Sequence, residues 1–152
     1  MGTHFEGTDE QRRSLSVYIK LMRAAESTTS RINDHLRDYG LTVSQFGVLE
    51  ALYHLGPMCQ GDLARKILKS SGNLTTVVDN LARDELVERV RSDTDRRMVH
   101  VHLTDKGRAL IEQILPPHVA NVVAAFSVLT VEEQEMLDGL LRKVGKNVVR
   151  SA

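Results

Sequence analysis

Two groups of side chains in this sequence have types and spacing suited to chemistry. The first is a polar run, Ser70, Ser71, Gly72, Asn73, Thr75, Thr76 and Asn80; the second is the charged segment Arg91-Ser92-Asp93-Thr94-Asp95-Arg96-Arg97. Asn can pair bidentately with adenine, Thr can hydrogen-bond a base edge or touch a thymine methyl, and Gly lets a backbone approach closely. An Arg at a loop tip can enter a narrow, electronegative minor groove, and Asp95 is placed to orient Arg97 by a charge-assisted hydrogen bond. This is the chemistry of recognition. Bond-breaking chemistry has no matching set: there is no nucleophile beside a base, no carboxylate pair in an apolar setting and no phosphate-binding glycine loop, so no enzyme is expected.

Charge supports nucleic acid only locally. Lys plus Arg equal Asp plus Glu at 20 each, but Arg65, Lys66 and Lys69 cluster without an intervening acid, and Arg89, Arg91, Arg96 and Arg97 cluster again. Taken alone, the polar run and the basic clusters fit a solvated surface equally well.

The elements around them decide. Leu63, Ala64, Ile67 and Leu68 recur at helical spacing within residues 60–68. After a polar break ending in Ser71, a plausible N-cap, Leu74, Val77, Val78 and Leu81 lay an apolar stripe along a second helix, leaving the polar run on its other face. Leu86, Val87 and Val90 suggest a strand, and Val99, Val101 and Leu103 alternate with His100 and His102 in another. Two helices joined by a short break, followed by a ribbon with a basic tip, make a winged helix-turn-helix.

Capping boxes punctuate the flanks. Thr8 to Gln11 opens one long helix reaching Gly40, with a local bend allowed at Ser27-Thr28-Thr29-Ser30. Thr42-x-x-Gln45 opens a helix carrying Phe46, Leu49, Leu52 and Leu55 and stopped by Gly56-Pro57. Thr104 caps the next, which Pro116-Pro117 should kink or interrupt, and Thr130-x-x-Glu133 caps the last. The first helix and the last two carry more apolar stripe than one small winged-helix unit can cover, so the surplus is expected to pair with a second copy. Two recognition helices related by a dyad fit major grooves about 10 to 10.5 bp apart and call for a palindromic site.

Ser71-Gly72-Asn73-Leu74-Thr75, Leu86-Val87, Asp95-Arg96-Arg97 and Leu103-Thr104-x-x-Gly107 together resemble the MarR family of transcriptional regulators. The resemblance covers nearly the whole chain, including Leu41-Thr42-x-x-Gln45-Phe46. It implies a mainly α fold with a small β-wing: one domain over 1–152, the winged helix-turn-helix at about 42–104 and dimerisation helices at about 8–40 and 105–152. It implies a cytoplasmic homodimer on double-stranded promoter DNA, a repressor released by a small aromatic or phenolic effector. The DNA-binding set is then Arg65, Lys69, Ser70, Ser71, Gly72, Asn73, Thr75, Thr76, Asn80, Arg91, Asp95, Arg96 and Arg97, with Arg97 the wing arginine. The chain departs from the family at Glu85, where Gly is usual: either Glu85 keeps the left-handed conformation at a cost of about 1 kcal/mol, or the turn differs in shape and slightly re-aims the wing.

The remaining candidates lie outside this recognition set. His35, Tyr39, Tyr53 and His118 are read as lining an effector pocket, although aromatics at helical spacing are more often core. Cys59, at the start of the first DNA-reading helix, is a redox candidate, because a helix N-terminus favours thiolate. His100 and His102 share a strand face without the further ligands zinc needs, so neither metal nor cofactor is expected. One cysteine precludes an internal disulfide, the hydrophilic start has no signal core, and Val119 to Leu129 is too short to span a bilayer. A winged-helix protein-interaction module with no specific operator is the competing class, favoured by the neutral charge.

Overall fold

The computed structural model describes the backbone over residues 3–67 and 71–151, and side chains over 3–67 and 73–146. The elements run α1 (Asp9–Asn33), a 3-10 helix (Asp34–Tyr39), α2 (Val43–Leu55), β1 (Met58–Cys59), α3 (Gln60–Ile67), α4 (Ser71–Arg83), β2 (Val87–Arg91), β3 (Val99–Leu103), α5 (Asp105–Phe126) and α6 (Val131–Ser151). This is the expected mainly α fold with a small β-wing.

The chain forms two compact units, one of residues 33–118 and the other of residues up to Ile32 and from Val119 onward. In the first, Leu36, Leu49, Leu63, Leu74, Leu81, Ile111 and Ile114 are fully buried, so the 3-10 helix, α2, α3, α4 and the start of α5 share one core. β2 and β3 pair antiparallel with Val87 opposite Leu103 and Arg91 opposite Val99. The expected two-stranded ribbon gains a third strand, since Met58 and Cys59 pair with Val101 and His100. Two residues are too few to show a strand's alternation.

The caps at Thr8, Thr42, Thr104 and Thr130 hold as read, whereas Ser71, expected to cap α4 from outside, is its first helical residue. Thr42 Oγ1 accepts from Gln45 N at 3.1 Å and Gln45 Oε1 accepts from Thr42 N at 2.8 Å, which satisfies the one buried polar side chain of the described core. The same reciprocal pair joins Thr8 with Gln11 and Thr130 with Glu133, and Thr104 Oγ1 accepts from Gly107 N at 3.0 Å. The backbone and side-chain bonds from Thr130 also hold the Glu133 carboxyl below the usual carboxylate range.

Three expectations fail in detail. The first helix does not reach Gly40 as one α-helix: it stays helical through Ser27–Ser30, then tightens to 3-10 at Asp34. Nor is α5 interrupted; Pro116 and Pro117 lie inside it, because two missing donors leave the bonds of the flanking turns in place. The run beginning at Val119 therefore belongs to a helix of 22 residues that is long and apolar enough, by length and composition alone, to cross a bilayer. Its Ile111 and Ile114 are instead buried in the core of residues 33–118.

In the second unit, α1 buries no residue, and the buried residues of α5 all precede Pro116. Val17, Tyr18, Met22, Val119, Val123, Met136, Leu140 and Val144 are all more than half exposed. Ile32 O accepts from the Asn121 amide at 3.3 Å, tying the end of α1 to α5.

Candidate nucleic-acid interface

The hydrophobic stripe of α4 orients its polar face. Leu74, Val78 and Leu81 have no exposure, so Asn73, Thr75, Thr76 and Asp79 point outward, with Asn80 half-buried beside them. Lys69 and Ser70 lie outside the described residues; α4 begins at Ser71, and the side chains at 71 and 72 are likewise outside. On α3, Leu63 and Ala64 pack inward while Arg65 is exposed and ion-paired with Asp62.

The helix ends in a turn that explains both Glu85 and Gly107. Leu86 N donates to Leu81 O at 2.9 Å and Glu85 N to Ala82 O at 3.0 Å, the paired bonds of a Schellman cap, with Leu81 and Leu86 both buried. Such a cap needs a left-handed residue, and Glu85 supplies it at φ 63°. Thr104 Oγ1 donates to Glu85 O at 2.7 Å, Thr104 N to Leu86 O at 3.2 Å, and Lys106 Nζ to Asp84 O at 2.9 Å. A Cβ on Gly107 would lie 2.0 Å from Leu86 O, so only glycine lets α5 start this close to the turn.

The wing tip is internally tied. Arg91 donates to Arg96 O at 2.8 Å, Ser92 N to Met98 O at 2.8 Å, and Met98 N to Asp95 O at 2.9 Å. Asp95 Oδ1 accepts from Arg97 N at 3.0 Å and from its Nε at 3.4 Å, as expected for a carboxylate that aims this arginine. The Arg97 side chain is 93% exposed. Arg91 thus braces the tip while remaining exposed, as are Arg96 and Arg97.

Sequence reasoning missed three participants. Gln60 donates from Nε2 to Thr75 Oγ1 at 3.1 Å, Arg89 donates from Nε to Gln60 Oε1 at 3.2 Å, and Arg89 Nη2 meets Asp79 Oδ1 at 2.6 Å. The only signals in sequence were a glutamine opening α3 and an arginine counted into a basic cluster.

Cys59 immediately precedes α3, and its half-buried side chain hydrogen-bonds with Asp62. That bond first, and Arg65 second, hold the Asp62 carboxyl below its usual range. Next to it in the sheet, His100 stands opposite Cys59 and Val90, and His102 opposite Glu88. No group of three or more His, Cys, Asp or Glu among the described residues is arranged to hold a metal ion.

The four residues read as an effector pocket divide. His35 and His118 meet at 3.1 Å between Nε2 and Nδ1; Tyr39 stacks edge-on against His35, and Phe46 lies 4.4 Å from the His118 ring. His35 Nδ1 is buried without a partner among the described residues, which favours the tautomer with His35 Nε2 as donor, because a bare ring nitrogen costs less there than an unpaired N–H. Burial lowers the pKa of His118, with the His35 charge acting the same way and Glu50 opposing. Tyr53 packs elsewhere, beneath the Arg108 guanidinium at 5.5 Å. An open cavity of about 520 Å³ runs along α2, lined by Phe46, Glu50, His54, Lys66, Ile67 and His118 among others; of the four, His118 alone lines it.

An outward polar helix face, an arginine-tipped ribbon beside it and a turn that fixes one against the other define a winged helix-turn-helix regulator. Comparison with known proteins agrees. The MarR family model matches residues 41–99. The HTH-type transcriptional regulator MhqR of Bacillus subtilis is 42% identical over 135 residues, covering 89% of this chain and 93% of MhqR. Among solved structures, an Escherichia coli MarR mutant complexed with operator DNA is 26% identical with a TM-score of 0.78, covering 90% of this chain and 99% of that one. Bordetella bronchiseptica BpsR, described for regulation of its DNA binding by 6-hydroxynicotinic acid, is 27% identical with a TM-score of 0.77, covering 95% and 98%. The chain belongs to the MarR family; it is a transcriptional regulator and not an enzyme.

Proposed function

We propose that the chain is a cytoplasmic homodimeric repressor that reads a palindromic promoter site and is released by a small aromatic or phenolic molecule. The observation that carries the DNA-reading part is the joint presentation of Asn73, Thr75 and Thr76 on α4 and Arg97 on the wing, held together through Glu85 and Thr104. The likeness to a MarR chain solved with operator DNA supports it. In this reading Arg65, Lys69, Ser70, Ser71, Gly72, Asn80, Arg91, Asp95 and Arg96 complete the interface.

Pairing is supported by the exposed apolar face of the unit built from α1, the end of α5 and α6. A groove of about 440 Å³ there, lined by Val122, Val123, Phe126, Leu137 and Leu141, suits a helix of a second copy. The effector is placed in the cavity along α2. An occupant there touches Lys66 and Ile67 of α3, and Lys66 offers a cation to a phenolate. An effector that prefers the form unable to bind DNA by about 2.7 kcal/mol shifts the balance about 100-fold. The regulation of BpsR by 6-hydroxynicotinic acid is a precedent for the ligand class.

The test is fluorescence anisotropy on the DNA upstream of the chain's own gene, against shuffled DNA, over a salt series. Selective, salt-sensitive binding is expected, with Arg97→Ala weakening it about tenfold and lowering the salt slope by about 0.9. Equal weak binding to both DNAs counts against the reading, and a compound that leaves affinity unchanged at saturation is not the effector.

A further inference from the structure

We infer that Gln60, Asp79 and Arg89 form a positioning bracket that sets the orientation of α4 on DNA, and with it the sequence the chain selects; this rests on the DNA-reading function proposed above. The bracket is a chain of side-chain bonds across three elements. Arg89 on β2 donates from Nε to Gln60 Oε1 at 3.2 Å and from Nη2 to Asp79 Oδ1 at 2.6 Å. Gln60, at the first position of α3, passes the connection to Thr75 Oγ1 at 3.1 Å. Thr75 and Asp79 are four residues apart and so lie one turn apart on the same outward face of α4.

Each member has a chemical reason to be what it is. Gln60 uses both ends of its amide, acceptor to Arg89 and donor to Thr75, which fixes the amide's direction; a carboxylate or an aliphatic side chain cannot do both. Arg89 reaches two acceptors with neighbouring N–H groups of one planar fork, a geometry a lysine ammonium lacks. Its side chain is only 32% exposed, so it acts as a strut between strand and helix more than as a free phosphate contact. Asp79 is the telling residue. A carboxylate on a helix face turned to DNA repels phosphate, and by charge alone its removal should tighten binding to every sequence. Its bond to Arg89 gives it the opposite effect on selectivity, because that bond ties the middle of the recognition helix to the wing strand.

The experiment is selection of bound sequences from a random duplex library by the whole protein and by its Asp79→Asn, Arg89→Met and Arg89→Lys variants. It is followed by affinity for the selected and a scrambled duplex. The unaltered chain is expected to enrich a two-fold motif. Asp79→Asn and Arg89→Met are expected to lower the ratio of selected to scrambled affinity about tenfold and to flatten the base positions beneath α4, with Arg89→Lys failing to restore it. Asp79→Asn is nearly isosteric, so a lost fold does not obscure the result.

If Arg89→Met weakens both duplexes equally and lowers the salt slope by about 0.9, Arg89 is a phosphate contact and the bracket is overturned. It is overturned also if Asp79→Asn tightens both duplexes equally, or if the variants enrich the same motif as sharply. Failure of the unaltered chain to enrich any motif removes the DNA-reading function itself, and the inference with it.

Discussion

Residues 33–118 and the unit formed by α1, the end of α5 and α6 handle apolar surface in opposite ways. The first buries Leu36, Leu49, Leu63, Leu74, Leu81, Ile111 and Ile114 almost completely, from elements of 6 to 13 residues and the first turns of α5. The second has longer helices, yet α1, with 25 residues, buries none, and Val123, Met136 and Val144 stand more than half exposed. A helix's hydrophobic stripe is worth little until something covers it. The difference teaches that residues 33–118 close a core by themselves, whereas the long helices leave their apolar faces exposed, and it is on this exposure that the proposed pairing with a second copy rests.

The largest effect is expected on the exposed side. Val123→Glu with Leu141→Glu places charge in the groove between α5 and α6, and is expected to give monomers in sedimentation velocity and to cut DNA affinity about 100-fold or more, since linked heads gain by effective concentration. Circular dichroism should meanwhile keep the helical signal. On the buried side, Gly107→Ala drives a methyl against Leu86 O, and urea unfolding should show a loss of about 2–4 kcal/mol.

A smaller effect is expected at the two turns that close helices of the core. Gly40 and Glu85 occupy equivalent left-handed caps: Leu41 N donates to Leu36 O at 3.1 Å and Gly40 N to Arg37 O at 3.1 Å, the same bond pair that Leu86 and Glu85 make after α4. One cap has the residue such a backbone favours and the other does not. Glu85→Gly is expected to stabilise by about 0.5–1 kcal/mol, and Gly40→Ala to destabilise by a similar amount, both read from urea midpoints.

The smallest effect is on pH. Because burial depresses the His118 pKa, its contribution to stability is fully present above the ordinary value of 6.5 and is lost as pH falls through the folded value. The urea midpoint should therefore decline from about pH 7.5 to about pH 5.5, and His118→Gln should flatten that slope. An unchanged slope in the variant assigns the titration to another group.

Much of this was legible because its causes are local. Thr42 and Gln45, or Thr104 three residues before Gly107, declare a helix start within one turn, and Val99, Val101 and Leu103 show strand alternation directly. The Asp95–Arg97 pair is two residues apart and could be read at sight. What stayed hidden depends on partners distant in sequence. Met58 and Cys59 are a strand only because β3 lies beside them, Tyr53 turns to Arg108 rather than to His118, and Arg89 finds Gln60 29 residues away. The change to 3-10 geometry at Asp34 carries no pattern that distinguishes it from another turn of α-helix.

The most direct measurement is sedimentation velocity of the whole protein with a labelled duplex carrying its selected motif, at low and at moderate salt. Two chains per duplex, with a complex that weakens as salt rises and does not form on scrambled DNA, is the result expected of paired reading heads. One chain binding as tightly as two, or equal sedimentation with scrambled DNA, contradicts it.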